Sequence, residues 1–243
     1  MPGTKLQERK DIKVVLRELE TDGGIGLSVD CIIFGFDDNE LKVLMIRSDM
    51  EEYYNKWSLL GDLVHHNEDL TGAAYRILKE RTGMADVYLE QMQTFGDVDR
   101  HLAARVVTTA YCSLIDIRAH ELAITDNELT WHKVDLEMEM AFDHQRILRA
   151  AHEWLQKRVQ EHPLGFNLLP QKFSLRQLQQ LYESILQLKL DRRNFRKKFF
   201  SMGLLDDTNE VEENVPHRPG KLYTFNYEKY RLKEKRKFMG IDF

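Results

Sequence analysis

The residues best typed for chemistry lie near the C-terminal end, in Asp191-Arg-Arg-Asn-Phe-Arg-Lys-Lys-Phe-Phe-Ser-Met202. At helical spacing Phe195, Phe199 and Met202 share one face, which leaves Arg192, Arg193, Asn194, Arg196 and Lys197 to the other. Guanidinium groups can fork onto guanine edges or phosphates, an asparagine can pair with adenine, and a buried Phe face fixes the helix in its domain. Taken alone, the pattern equally describes an ordinary solvated face. Its surroundings favour nucleic acid.

The chain carries a net charge of -5 over 243 residues, but the charge is segregated. From Gln171 to Phe243 there are 16 Lys/Arg against 10 Asp/Glu, a local +6, so residues 1 to 170 carry -11. A basic back half suits a polyanion. Ser174 reads as the cap of a helix striped by Leu175, Leu178, Leu181, Tyr182 and Ile185, and Leu188 to Asp191 is a turn into the basic helix. Beyond Gly203, a segment from Leu204 and the run Lys221 to Asn226, with Pro216 to Gly220 before it, read as a hairpin wing. Arg218 and Lys221 are its phosphate-contacting candidates. Phe200 falls between the two faces of the basic helix, which suggests packing under the wing.

Further forward, Leu27 to Phe36 and Leu41 to Arg47 read as a hairpin closed by Asp37-Asp38-Asn39, and Trp57 to Val64 as a short strand and loop. Leu70 to Thr82 reads as a helix ended by Gly83, Val87 to Val98 and Arg105 to Ile117 as strands, and Phe142 to Gln160 as a linker helix. Cys31 and Cys112 each sit in an apolar run and read as reduced core thiols. The polar lead Met1 to Lys13 lacks an apolar signal core, and no stretch is long enough to span a bilayer, so a soluble, cytoplasmic protein without a membrane partner is expected. The expected units are a polar extension (1–24), a front domain with the linker helix (25–162) and a basic domain (163–243).

Gly61 to Met84, GDLVHHNEDLTGAAYRILKERTGM, resembles the Nudix signature G-x5-E-x7-R-E-U-x-E-E-x-G-U, aligned on Gly83-Met84 without gaps. Glu68, Arg76, Leu78 and Glu80 fall on signature positions. The opening Gly is instead Asp62, one residue after Gly61, the Glu after the Arg is Ile77, and the last Glu is Arg81. In Nudix hydrolases those helix carboxylates hold Mg²⁺; Ile77 offers no oxygen, and Arg81 puts a positive charge where a cation would sit. The resemblance therefore implies a non-catalytic Nudix domain with no cofactor and no metal, in which Glu68 and Arg76 survive as a structural ion pair. An active hydrolase of nucleoside diphosphate derivatives is the alternative.

With Phe142-Asp143-His144, GFNLLPQKFSLRQLQQLYESIL and DRRNFRKKF, the whole chain is similar to the Nudix-related transcriptional regulators, closest to the branch that includes the arabinose-responsive repressors. That resemblance implies an α+β fold: a Nudix-like mixed sheet with helices, joined to a C-terminal winged helix-turn-helix domain. It also implies a homodimer on double-stranded operator DNA, acting as a repressor controlled by a small-molecule effector, a pentose or an ADP-ribose-like nucleotide sugar. By position after strands, Arg47, His65, His66, Asp97, Asp99, Arg100 and Arg105 would face the effector, with Trp57 as a stacking wall. Adjacent side chains such as His65 and His66 diverge in a strand, which argues against a shared metal.

Overall fold

The computed structural model describes residues 23–37, 40–48, 50–120, 122, 129–162, 164–213, 215–216 and 218–239, with the side chains of 164–165 and 234–239 left aside. Residues 1–22 of the expected polar extension, with the whole polar lead, and the turn residues Asp38 and Asn39 lie outside the described residues.

The hairpin forms as the alternation of strand formers and a polar turn dictates, with β1 (Gly26–Asp37) antiparallel to β2 (Glu40–Arg47). β1 also pairs with β4 (Leu60–Leu63), and β2 with β3 (Trp57–Ser58) and β7 (Leu129–Lys133). On its other side β1 runs parallel to β6 (Val106–Ile115), which carries β5 (Glu90–Phe95) at the edge. β5 begins later than the apolar pattern suggests, because Val87 and Leu89 are buried in the core before pairing starts. β7, the short run Leu-Thr-Trp-His-Lys, was not foreseen in the sequence.

Strand parity sorts β1 between two cores. Val29, Cys31 and Ile33 pack with Ala73, Ala74, Ile77 and Leu78 of α1 (Leu70–Thr82). Ile32, Phe34 and Phe36 face Ile147, Leu148, Ala151 and Leu155 of α2 (His144–Glu161). Gly83 closes α1 in the left-handed region, φ 79°, where a side chain would be strained. Both thiols are buried, and burial pushes Cys31 and Cys112 up in pKa, so neither is a nucleophile at neutral pH.

The second core cluster continues without a break into the C-terminal half, through Phe166, Leu168 and Phe173 to Leu178, Leu181, Phe195 and Phe199. There β8 (Phe173–Ser174) leads into α3 (Leu175–Leu186) and α4 (Arg192–Met202), followed by β9 (Leu205–Val211), β10 (Lys221–Phe225) and α5 (Tyr227–Met239). The three strands pair in the order β8-β10-β9. Ser174 and Gln177 form a reciprocal capping box on α3, and Asp191 accepts from the Asn194 amide at 2.8 Å to cap α4. Together these elements are a helix-turn-helix with a two-stranded wing. No element was expected from the sequence where α5 stands. No helix among the described residues is long and apolar enough to cross a membrane.

Candidate ligand cavity and nucleic-acid interface

Asp30 is the one carboxylate within the apolar body of β1, and its even position turns it to the α2 side of the sheet. It is 4% exposed. Thr108 donates to it at 2.8 Å, His144 Nε2 lies at 3.3 Å, and Arg100 Nη2 at 3.6 Å. Burial alone would raise its pKa, but His144, Arg100 and Thr108 outweigh that and hold it below the ordinary carboxylate value. The Leu59 amide donates to His144 Nδ1 at 3.0 Å, so the ring proton sits on Nε2, facing Asp30. Gly61 makes room for this arrangement, since a Cβ there would come within 2.1 Å of Asp30 Oδ1.

Arg100 is likewise buried and forks onto Asp143, with Nε to Oδ2 at 3.1 Å and Nη2 to Oδ1 at 2.7 Å. Above these groups lies an open cavity of about 140 Å³. Its lining includes Arg47, Asp62, Arg81, Arg100, His101 and Phe142. Phe142 holds an unusual left-handed backbone, φ 53°, with its ring stacked on His101 at 5.1 Å and tilted against Tyr53 at 4.4 Å. Burial and the neighbouring Arg100 charge lower the pKa of His101, which favours a neutral ring.

Of the box helix α1, only Arg81 reaches the cavity. Its Nη2 lies 3.2 Å from Asp62 Oδ2. Ile77 is 1% exposed and belongs to the core on the α1 face. The expected pairing of Glu68 with Arg76 is present: Nε donates to Oε2 at 2.9 Å and Nη2 to Oε1 at 2.7 Å, while Nη2 also reaches the Leu63 carbonyl. Arg76 outweighs burial and holds the Glu68 carboxyl at about 2. Glu80 is left half exposed beside Arg76 Nη1. A divalent cation does not fit this donor set. One signature position is aliphatic and buried, one is a guanidinium already paired to a carboxylate, and the remaining Glu faces an arginine.

Among the effector candidates, the structure brings Arg47 and Arg100 to the cavity. Arg47 stacks over Trp57, 3.5 Å from the ring centroid, and donates to the Asn55 carbonyl, so Trp57 supports an arginine and is not itself part of the lining. His65 and His66 project into solvent from the loop before α1. Asp97 pairs with Arg146, Asp99 is exposed, and Arg105 bonds the carbonyls of Gly96 and Asp97 to brace the turn after β5. These five residues stand away from the lining because their positions after strands fix a loop, not a side-chain direction. Asp30, Ser58, Asp62, His101, Phe142 and His144 were missed as cavity residues. A lone Asp inside LSVDCIIFGF was the signal available for the first.

On α4, Phe195 and Phe199 are buried while Arg192, Arg193, Asn194, Arg196 and Lys197 are exposed. Phe200 packs edge-on against Tyr223 of the wing at 5.6 Å, as its in-between position suggests. The wing is less basic than expected. Lys221 is bound to Asp207 at 2.6 Å, Lys172 to Glu210, and Lys229 to Asp206, because β9 is itself acidic; Arg218 is exposed near the tip. Among the described residues, no ion pair ties up the basic side chains of α4, in contrast to Lys221, Lys172 and Lys229.

Residues 24–155 match the NUDIX domain family, and residues 165–225 match the NrtR DNA-binding winged helix domain. The ADPR responsive transcriptional repressor NtrR of Acinetobacter baylyi is 31% identical over 209 residues, covering 84% of this chain and 83% of that one. An ADP-ribose pyrophosphatase of Methanocaldococcus jannaschii is 24% identical over 152 residues, 62% of this chain and 84% of that one. The crystal structure of Shewanella oneidensis NrtR complexed with a 27mer DNA superposes with a TM-score of 0.71 at 26% identity, over 84% of this chain and 95% of that one. The arabinose-responsive branch suggested by the motifs is thereby corrected, since the residue types of the box and of the basic helix carry no information on the effector. With its Nudix domain followed by an NrtR-type winged helix, the chain belongs to the NrtR family of Nudix-related DNA-binding transcriptional repressors.

Proposed function

We propose that this repressor binds a nucleoside diphosphate sugar of the ADP-ribose type in its Nudix cavity, does not cleave it, and changes its hold on operator DNA in response. The observation that carries this reading is the Asp62–Arg81 pair in a cavity that also holds Arg47 and Arg100. Three guanidiniums suit phosphate recognition, and a cation site blocked by one of them does not suit hydrolysis. The likeness to an ADP-ribose-responsive repressor supports the same ligand class. The volume of this open cavity suits a phosphate and ribose portion, with the remaining nucleoside lying across its mouth.

The units we assign are residues 25–162 for ligand and 163–243 for DNA. The protein would act as a homodimer. A single α4 offers one short basic face, and two copies on a pseudo-palindromic operator double the groove contacts.

The test has two arms. ADP-ribose is titrated into the protein by calorimetry in EDTA, and the same ligand is incubated with protein and Mg²⁺ and followed by chromatography. Saturable binding with the ligand recovered intact is expected. Mg²⁺-dependent release of AMP and ribose 5-phosphate would overturn the non-catalytic reading.

A further inference from the structure

The cap residues of α1, α3 and α4 follow one rule. Asp69, Ser174 and Asp191 have ψ of 173°, 156° and 119°, and the side chain of each accepts from an amide in the first turn. Asp143, the cap residue of α2, breaks it. Its ψ is 22° and its side chain caps nothing, because both carboxylate oxygens are taken by Arg100. The residue before it, Phe142, holds the left-handed backbone that lines the cavity. So the start of the linker helix is fixed by a cavity arginine and not by its own cap.

Arg100 uses Nε and Nη2 on Asp143, and Nη1 makes no hydrogen bond among the described residues. A phosphate arriving in the cavity is a competing bidentate acceptor for the same guanidinium. We propose that Asp143 is a built-in competitor for Arg100, displaced by a phosphate of the ligand, and that the freed carboxylate swings to cap α2 and so transmits the ligand signal to the winged helix. The proposal rests on the ligand reading above.

The movement has a defined path. Asp143 can cap only if its ψ turns toward the extended values of the other caps, which rotates the peptide joining Phe142's segment to α2. α2 in turn is tied to the DNA-binding half, with Gln156 Nε2 donating to the Ile185 carbonyl at 3.0 Å and Leu155 in the core cluster shared with Leu178 and Leu181 of α3. A ligand that breaks the Arg100–Asp143 fork therefore prefers one position of α2, which is the differential binding that any such switch requires.

Asp143→Asn separates the two halves of the proposal. Asparagine is a strong cap residue but a poor partner for Arg100, so the variant is already released. Asp143→Ser serves as a second such variant, and thermal melts establish that both are folded. The probes are ADP-ribose, measured by calorimetry, and a duplex selected from a random library by the wild-type protein, measured by anisotropy. Both variants should bind ADP-ribose about tenfold more tightly, the scale of one charge-assisted contact no longer displaced. Their DNA affinity without ligand should move to the value the wild type reaches with saturating ADP-ribose, and added ligand should change it little. Wild-type DNA affinity and undiminished ligand response in both Asp143 variants would overturn the switch. Failure of the wild type to bind ADP-ribose, with DNA affinity still shifted in the Asp143 variants, would support the switch while sinking the ligand assignment.

Discussion

Arg81 and Asp62 occupy two positions at which this chain departs from the Nudix signature, and their side chains are each other's partners, Nη2 to Oδ2 at 3.2 Å. They are 25% and 15% exposed, so the pair is shielded enough to matter. Each departure explains the other. An arginine at the last Glu position of the signature needs a nearby carboxylate, and an aspartate at the opening position supplies it.

Restoring the acid at that position should therefore not restore an enzyme. Arg81→Glu places two carboxylates together and is expected to destabilise the fold by about 1–3 kcal/mol, read by denaturant unfolding. Hydrolysis should stay absent in Mg²⁺, because Ile77 remains buried and without oxygen. A variant as stable as the wild type would show that the pair contributes nothing.

Glu68 gives a prediction in pH. Its folded carboxyl is held at about 2, with Arg76 the main cause, against an unfolded value of about 4.3. A depressed carboxylate stabilises the fold above its unfolded value, and that contribution is lost as the pH falls from about 4 toward 2. Glu68→Gln should lower stability at pH 7 and flatten the acid limb of the stability profile. Parallel profiles for variant and wild type would contradict the pairing.

The basic face of α4 should carry DNA affinity. Arg193→Ala and Arg196→Ala are each expected to weaken binding to a selected duplex by about 10- to 100-fold, with a shallower salt dependence by about one unit wherever a phosphate contact is lost. Lys221→Ala should have a smaller effect, since that ammonium is already held by Asp207. Anisotropy titrations across salt give both numbers; equal effects at all three positions would put the wing on an equal footing with α4 and contradict the assignment.

Between the two halves, the Leu41 amide of β2 donates to Ser184 Oγ of α3 at 2.7 Å. Ser184→Ala leaves that amide without its partner in a part-buried seam and should cost about 1–2 kcal/mol, a fall in Tm of about 2–6 °C. Differential scanning calorimetry checks this. An unchanged Tm would mean that this hydrogen bond contributes nothing to joining the two halves.

The sequence made the hairpin, the box helix and α4 legible because each is local: alternation, a glycine stop after Thr82, and Phe residues at helical spacing are all read within a dozen positions. β7 and α5 were not legible, the first being only five residues long and the second offering only a charged run. The cavity was the least legible part. Asp30, Arg100 and His144 converge from β1, a loop after β5 and the start of α2, and only the parallel pairing of β1 with β6 and the packing of α2 on the sheet bring them together. The lost carboxylates could be read from Ile77 and Arg81, but the partner that stabilises Arg81 could be seen only in three dimensions.

The most direct measurement is the anisotropy of a selected, labelled duplex bound by the wild-type protein, followed over hours as ADP-ribose is added in Mg²⁺. A shift in DNA affinity of at least about fivefold that holds steady with time is predicted, since the ligand is bound and not consumed. No shift would contradict the ligand assignment, and a shift that decays as the ligand disappears would contradict the claim that this Nudix domain has ceased to be a hydrolase.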